Sequence, residues 1–222
     1  MLTVLLVLMV TIKYFNLKTL DSSQVENLYL NCPEKFKREV SRFRLEEDRL
    51  HRLIAREIVQ SQVQNSGINL SIDSWLRSSR GKPFLKNGPF FNISHSGNYV
   101  VVAFNQSAEI GVDIEHKAEL AIEPLTDFLH PTEIAYIKNT VNDTEAFYHV
   151  WTRKEAYLKA LGTGIIEGIS HTSVLNDVLI NKGISWTLKA FEIDAEYSAT
   201  VCYQSQNQNE LAIEKYSLIN RR

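Results

Sequence analysis

The chain is poor in the residues that mark special-purpose folds. Only two of its 222 residues are cysteine, Cys32 and Cys202, which is too few for a disulfide framework and gives no metal-binding spacing. A reducing compartment follows, and the expected location is the cytoplasm. There is no excess of positive charge: 24 Lys and Arg stand against 26 Asp and Glu, for a net charge of −2. That argues against a general nucleic-acid binder, so an anionic ligand must be held by a local basic cluster. No apolar run reaches the roughly 20 residues that a membrane-spanning helix needs. The longest, Met1 to Ile12, lacks the basic start and small-residue cleavage site of a secretory signal. It is read as a buried strand preceded by a few surplus residues, with Met9 as an alternative start; a tether to a membrane is the competing reading. Internal repeats and low-complexity linkers are absent. So are a glycine-rich phosphate loop ending in Lys-Ser/Thr and any Ser, His and Asp arrangement for acyl transfer.

What remains is an ordinary globular composition, 44% hydrophobic and 23% charged, in one large domain or two small lobes. The pattern predicts a strand over Val4–Leu17, a short helix over Ser22–Leu30 and a charged segment from Glu34 to Arg44. A longer helix is expected over Glu46–Gln62, with Leu50, Leu53, Ile54 and Ile58 inward. Gly67 to Ser79 reads as an irregular connection. Phe90–Ile93 and Tyr99–Asn105 read as strands separated by a turn at Ser94-His95-Ser96-Gly97. A strand over Ala108–Glu115 follows. Helices are expected over Pro131–Asn139 and over Glu145–Leu161, the latter closed by Gly162. The tail alternates as two strands around Asp194-Ala195-Glu196 and a third over Leu211–Leu218. Any division into lobes falls near Asn105 to Glu109.

Four groups of residues carry chemistry, and each has a plainer explanation. Asp113 and Glu115 are two apart on a strand and share a face; they form either a solvated edge or part of a Mg²⁺ site completed by a third acid and phosphate oxygens. Glu155 and Lys159 stand one helical turn apart, as an exposed ion pair or as a metal ligand with a phosphate-facing cation. Lys154 interrupts the apolar stripe of Phe147, Trp151, Leu158 and Leu161, so its ammonium must snorkel or meet an anion. In Gly81-Lys82-Pro83, Pro83 keeps Lys82 extended and Gly81 permits close backbone approach, while Ser94 and His95 can donate to a phosphate. Finally, Lys35, Lys37, Arg38, Arg42, Arg44, Arg49, His51 and Arg52 form a charged helical face or a site for a multiply phosphorylated ligand.

In this order, Gly-Lys-Pro, Phe-Asn-Ile-Ser-His-Ser-Gly, Gly-Val-Asp-Ile-Glu and Trp-x-x-Lys-Glu-Ala-x-x-Lys closely resemble the 4′-phosphopantetheinyl transferases. The likeness is to the long, monomeric subfamily typified by the surfactin-synthetase activator. It covers Gly81 to Gly164, and more loosely Pro33 to Gln60. The resemblance implies an α+β fold of two similar, pseudo-twofold-related lobes, each a small, mostly antiparallel sheet packed with helices, with the active site at their interface. Residues 1–106 would form the lobe for the coenzyme A adenosine and 3′-phosphate, and residues 107–222 the metal and catalytic lobe. It implies transfer of 4′-phosphopantetheine from coenzyme A to a serine of an apo acyl or peptidyl carrier protein, releasing adenosine 3′,5′-bisphosphate. Asp113, Glu115 and Glu155 would bind Mg²⁺ or Mn²⁺, and Glu155 and Lys159 would be catalytic. Lys35, Arg38, Arg52, Gly81, Lys82, Pro83, Ser94 and His95 would hold coenzyme A, with Lys154 and Lys159 at its diphosphate. His51 stands where many relatives have arginine, which leaves two readings of Arg52, as its substitute or not. The carrier would dock on His116 to Val141, with Leu120, Leu125, Phe128 and Leu129 as either its apolar floor or core. A non-catalytic module that binds nucleotide or carrier protein is the alternative reading.

Overall fold

The computed structural model describes residues 9–67, 75–163, 169–205 and 210–218. Its elements, in chain order, are β1 (Met9–Asn16), α1 (Ser22–Leu30), α2 (Glu34–Val40), α3 (Glu46–Asn65), β2 (Trp75–Arg77), β3 (Pro83–Leu85), β4 (Phe90–Ser96), β5 (Tyr99–Asn105) and β6 (Ile110–His116). After a 3₁₀ turn over Glu123–Phe128 come α4 (Pro131–Lys138), α5 (Asp143–Leu161), β7 (Val178–Asn181), β8 (Ile184–Ala190), β9 (Tyr197–Gln204) and β10 (Glu210–Lys215). Among the described residues no helix is long and apolar enough to cross a membrane. The front of the expected opening strand, Val4 to Leu8, lies outside them, as does most of the expected irregular connection, residues 68–74.

Two four-stranded sheets are built, in the orders β10-β1-β5-β4 and β6-β9-β8-β7, with β2-β3 as a separate ribbon. The same unit occurs twice: strand, helix, then hairpin, with the hairpin's second strand in the middle. It is β1-α3-β4-β5 in one half and β6-α5-β8-β9 in the other. The mixed α+β architecture of two similar lobes is therefore present, although no repeat is visible in the residues themselves. One feature departs from a division at 106/107. The last strand, β10, returns to the first sheet and pairs in parallel with β1, so the C-terminal segment belongs to the N-terminal lobe.

The layers explain the apolar runs. Val10, Ile12, Val101 and Ala103 of the first sheet pack on Ile110, Val112, Ile114, Ala199 and Val201 of the second. The opposite face of the first sheet, with Val100, Val102 and Phe104, receives Ile54, Ala55 and Ile58 of α3. Every residue of β5 is consequently buried, and Tyr99 to Phe104 reads as one continuous apolar stretch. On the far side of the second sheet, Ala156 and Ala160 of α5 meet Leu188 and Cys202. The expected turn at Ser94 to Gly97 is corrected: β4 continues through Ser96, and only Gly97 and Asn98 separate it from Tyr99. Backbone pairing with β5 on one edge, and side-chain bonds to β6 on the other, outweigh the turn-like composition. The two-residue turn at Lys182-Gly183, with φ values of 51° and 77°, joins the unforeseen strand β7 to β8.

Candidate active site

Strand β6 alternates faces. Val112 and Ile114 enter the core between the sheets, which leaves Gly111, Asp113 and Glu115 on the side of α5. Gly111 makes the approach possible: a Cβ there would lie 2.1 Å from the Ala156 carbonyl oxygen and 2.3 Å from the Ala160 nitrogen. The helix is fixed at its start by the Asn142 side chain, which accepts from the Glu145 amide, and at its end by Gly162 at φ 66°. Seated this closely, α5 delivers Lys159 to Asp113, with Nζ 2.6 Å from Oδ1. Ser94 Oγ on β4 donates to the same oxygen at 2.9 Å and accepts from Lys159 Nζ at 3.0 Å. Ser96 Oγ donates to Glu115 Oε2 at 3.0 Å.

The acids are electrostatically uncomfortable. Burial pushes the Asp113 carboxyl up, and the Lys159 ammonium works against that. Burial and then the Asp113 charge push Glu115 up to about 7, with Glu155 adding to the repulsion. Glu155 is likewise raised by burial and by Asp113. Asp113 Oδ2 is shut from solvent with no hydrogen-bond partner. Among the described residues no three acidic, histidine or cysteine side chains are gathered closely enough to hold one metal ion as they stand. The donor chemistry nevertheless fits a hard divalent cation: three carboxylates on adjoining elements, mutually repelling, with one buried oxygen unpartnered.

A cleft of about 600 Å³ opens on the N-terminal lobe. Arg42, Arg52 and Arg77 line it, with His51 and His95 stacked at 4.3 Å and Phe36, Phe43 and Trp75 as apolar walls. The Arg52 guanidinium lies 3.5 Å over the Phe43 ring. His51 Nε2 donates to the Gly97 carbonyl at 2.8 Å, while its Nδ1 and the Trp75 Nε1 are shut from solvent without partners. Burial, followed by the His51 and Arg52 charges, holds His95 down to about 4. Three guanidiniums, flat rings and unpartnered polar atoms make a receptacle for an aromatic polyanion.

The expected coenzyme A residues divide accordingly. Arg52, Pro83 and His95 line this cleft; Lys35 borders a smaller neighbouring cavity, and Arg38 is exposed on α2 and lines neither. Ser94 is drawn away to Asp113 and Lys159. Lys82 lies at the lobe seam, where its ammonium meets Glu109 at 2.7 Å and the Ile110 carbonyl at 3.1 Å. Gly81, at φ 86°, shapes the turn that brings it there, and Arg80 of the same turn donates to the Thr163 carbonyl beyond α5. Lys154 is a correction. Only 2% exposed, it pairs with the fully buried Glu133 at 2.9 Å and donates to the Ile169 and Thr172 carbonyls. Its anion is internal, so it does not face a diphosphate. In the expected docking segment, Leu129 is core and Leu120 and Leu125 pack against core, whereas Phe128 stays 38% exposed. Phe128 borders a small apolar recess with Trp151, Leu158 and Ile169, beside Glu155.

Arg77 and Trp75 escaped the sequence reading because their segment looked irregular; they sit on β2, where a two-residue spacing could have paired them. Arg42 belongs to the basic group read as either a charged helical face or a site for a multiply phosphorylated ligand, and nothing in the sequence singles it out within that group.

Comparison with known proteins bears on the same regions. The family model of the 4′-phosphopantetheinyl transferase superfamily matches residues 109–213, and that of the 4′-phosphopantetheinyl transferase N-terminal region matches residues 22–107. The 4′-phosphopantetheinyl transferase Sfp of Bacillus subtilis (strain 168) is 31% identical over 200 residues, 81% of this chain and 86% of that protein. The chain belongs to the 4′-phosphopantetheinyl transferase superfamily. The enzyme gsp of Aneurinibacillus migulanus is also 31% identical, over 136 residues covering 60% of this chain and 48% of its own. A Bacillus subtilis 4′-phosphopantetheinyl transferase is 32% identical over 148 residues, 62% of this chain and 63% of its own. This 4′-phosphopantetheinyl transferase, of the Sfp type, thus has its acids within the first matched region and its arginine-lined cleft within the second.

Proposed function

We propose that this transferase moves 4′-phosphopantetheine from coenzyme A to a serine hydroxyl of an apo acyl or peptidyl carrier protein and releases adenosine 3′,5′-bisphosphate. The observation that carries the reading is buried Asp113 paired with Lys159 at the lobe seam, with the half-buried Glu115 and Glu155 close enough to repel its charge. The cleft with Arg42, Arg52, Arg77 and His95 would receive the adenosine and its 3′-phosphate. Asp113, Glu115 and Glu155 would hold Mg²⁺ or Mn²⁺; when bound, the ion would neutralise charge building on the diphosphate. Glu155, directly or through a water, would take the serine proton as its oxygen bonds to the β-phosphorus. General-base help of this kind is worth about 10²–10⁴ in rate. Lys159 would offset charge on the departing α-phosphate as the bridging bond breaks. The recess beside Phe128 would lie on the carrier's side of Glu155. The enzyme would act as a cytoplasmic monomer.

The test is incubation with coenzyme A, Mg²⁺ and a panel of apo carriers, followed by intact-mass analysis. A phosphopantetheine mass gain, lost on chelation of the metal and in Asp113→Ala with the fold retained, is expected. No gain on any carrier would favour the non-catalytic module, and full activity in Asp113→Ala would discard the acid cluster as the centre.

A further inference from the structure

We propose that Ser96 is a positioning residue that sets the Glu115 carboxylate from the opposite lobe, as one rung of a side-chain ladder across the seam. Strands β4 and β6 are the facing edges of the two sheets, yet their backbones do not pair with each other. Side chains of β4 take the place of its carbonyls. Asn92 Oδ1 accepts from the Val112 amide at 2.9 Å, and Ser96 Oγ accepts from the His116 amide at 3.0 Å. Between them, Ser94 Oγ makes a longer contact of 3.4 Å to the Ile114 amide. Both the accepting residues and the donating amides recur every second position, so the three rungs share one side of each strand.

The rungs are chemically unequal. A hydroxyl that accepts from a backbone amide still has its own proton to give, whereas the Asn92 oxygen has none. Ser94 spends that proton on Asp113 at 2.9 Å and Ser96 spends its own on Glu115 at 3.0 Å. The Asn92 rung carries no acid. Each serine therefore ties one carboxylate to the backbone across the seam, which couples the registration of the lobes to the placing of the acids. For Ser94 this adds to its contact with Lys159; for Ser96, holding Glu115 is the distinguishing task. Outer partners that orient metal-binding carboxylates are typically worth about 10–100-fold in metal affinity.

The inference rests on the proposed reading of Glu115 as a metal-binding carboxylate, and its test separates the two. Mn²⁺ binding to the full chain with coenzyme A present is measured by electron paramagnetic resonance of the free ion, with thermal unfolding followed in parallel. Ser96→Ala should weaken Mn²⁺ binding about 10–100-fold, while Ser96→Thr, which keeps the hydroxyl, should restore it. Asn92→Ala should lower thermal stability without that loss, because its rung holds no acid. Adding Ser96→Ala to Glu115→Gln should cost nothing further. Unchanged Mn²⁺ affinity in Ser96→Ala, or an equal loss in Asn92→Ala, overturns the positioning role alone. Failure of the wild-type chain to bind Mn²⁺ overturns the metal reading and this inference with it.

Discussion

Gly111→Ala probes how the site is assembled without touching any of its functional groups. The added Cβ would stand 2.1 Å from the Ala156 carbonyl oxygen, 2.3 Å from the Ala160 nitrogen and 2.9 Å from the Lys159 carbonyl carbon. All three are backbone atoms of α5, so no side chain can swing aside. Since real contacts of this kind begin near 3.0 Å, the helix must back away from β6 by about 1 Å, a misplacement that can cost about 10²-fold in rate. Lys159 has a flexible stem and can reach Asp113 again; the shorter Glu155 cannot follow as readily. Overpacking adds about 1–3 kcal/mol of destabilisation, which in a chain of this size lowers Tm by roughly 2–12 °C. The assay is kcat for carrier modification by mass analysis, with Tm from circular dichroism. A variant within twofold of wild-type kcat and within a degree of its Tm would refute the close-packed helix as the device that places Glu155.

Lys154→Met should act on stability, because it leaves the Glu133 carboxylate buried without its cation; breaking such a pair costs about 3–5 kcal/mol. Denaturant unfolding would measure that loss, and Lys154→Met combined with Glu133→Gln, which removes the charge but keeps an acceptor for the His130 and Val174 amides, should recover part of it. A rise in KM for coenzyme A with undiminished stability would return Lys154 to the diphosphate. His95 should titrate near 4 in the ligand-free protein, against 6.5 for an unperturbed imidazole. Between these values the unfolded chain binds the extra proton, so this residue's contribution lowers stability as pH falls from 6.5 towards 4, levelling off below. Proton NMR of the imidazole would give the midpoint; a value at or above 6 would contradict the cationic, desolvated setting. Coenzyme A seated in the cleft should raise it, as an adjoining phosphate favours the charged ring.

The sequence exposed the parts of this protein governed by short-range rules. Alternation put Asp113 and Glu115 on one face, helical spacing put Glu155 and Lys159 on another, and Gly162 closed α5, all within a few residues. The two-lobed fold was legible through the ordered motifs, whereas the duplicated strand-helix-hairpin unit was not, because it is shared in topology and not in residues. Lys154 shows the limit of periodicity. The stripe left two outcomes for its ammonium, to snorkel or to meet an anion, and the folded chain supplies the anion in Glu133, 21 positions earlier on another helix. The arginine-lined cleft was hidden for the same reason, as Arg42, Arg52 and Arg77 come from three separate segments that only the folded chain brings together.

The Ser-His-Ser segment joins these two levels. Its composition suggests a turn, and its residues suggest phosphate binding, yet as a strand it sends its three side chains to different tasks. The serines face β6 and meet Asp113 and Glu115, while His95 between them points the other way and lines the cleft with Arg52. A period of two therefore divides one tripeptide between the acid cluster and the polyanion receptacle. Because both depend on the same strand, a one-residue slip of β4 would exchange the faces and dismantle both together. The β4-β5 pairing is anchored at Gly97, where a Cβ would lie 2.6 Å from the Tyr197 hydroxyl. The ring of the second lobe thus seats the turn of this hairpin, its hydroxyl accepting from the Asn98 amide at 3.2 Å, and the separation between cleft and acids is set by strand geometry instead of by a flexible loop.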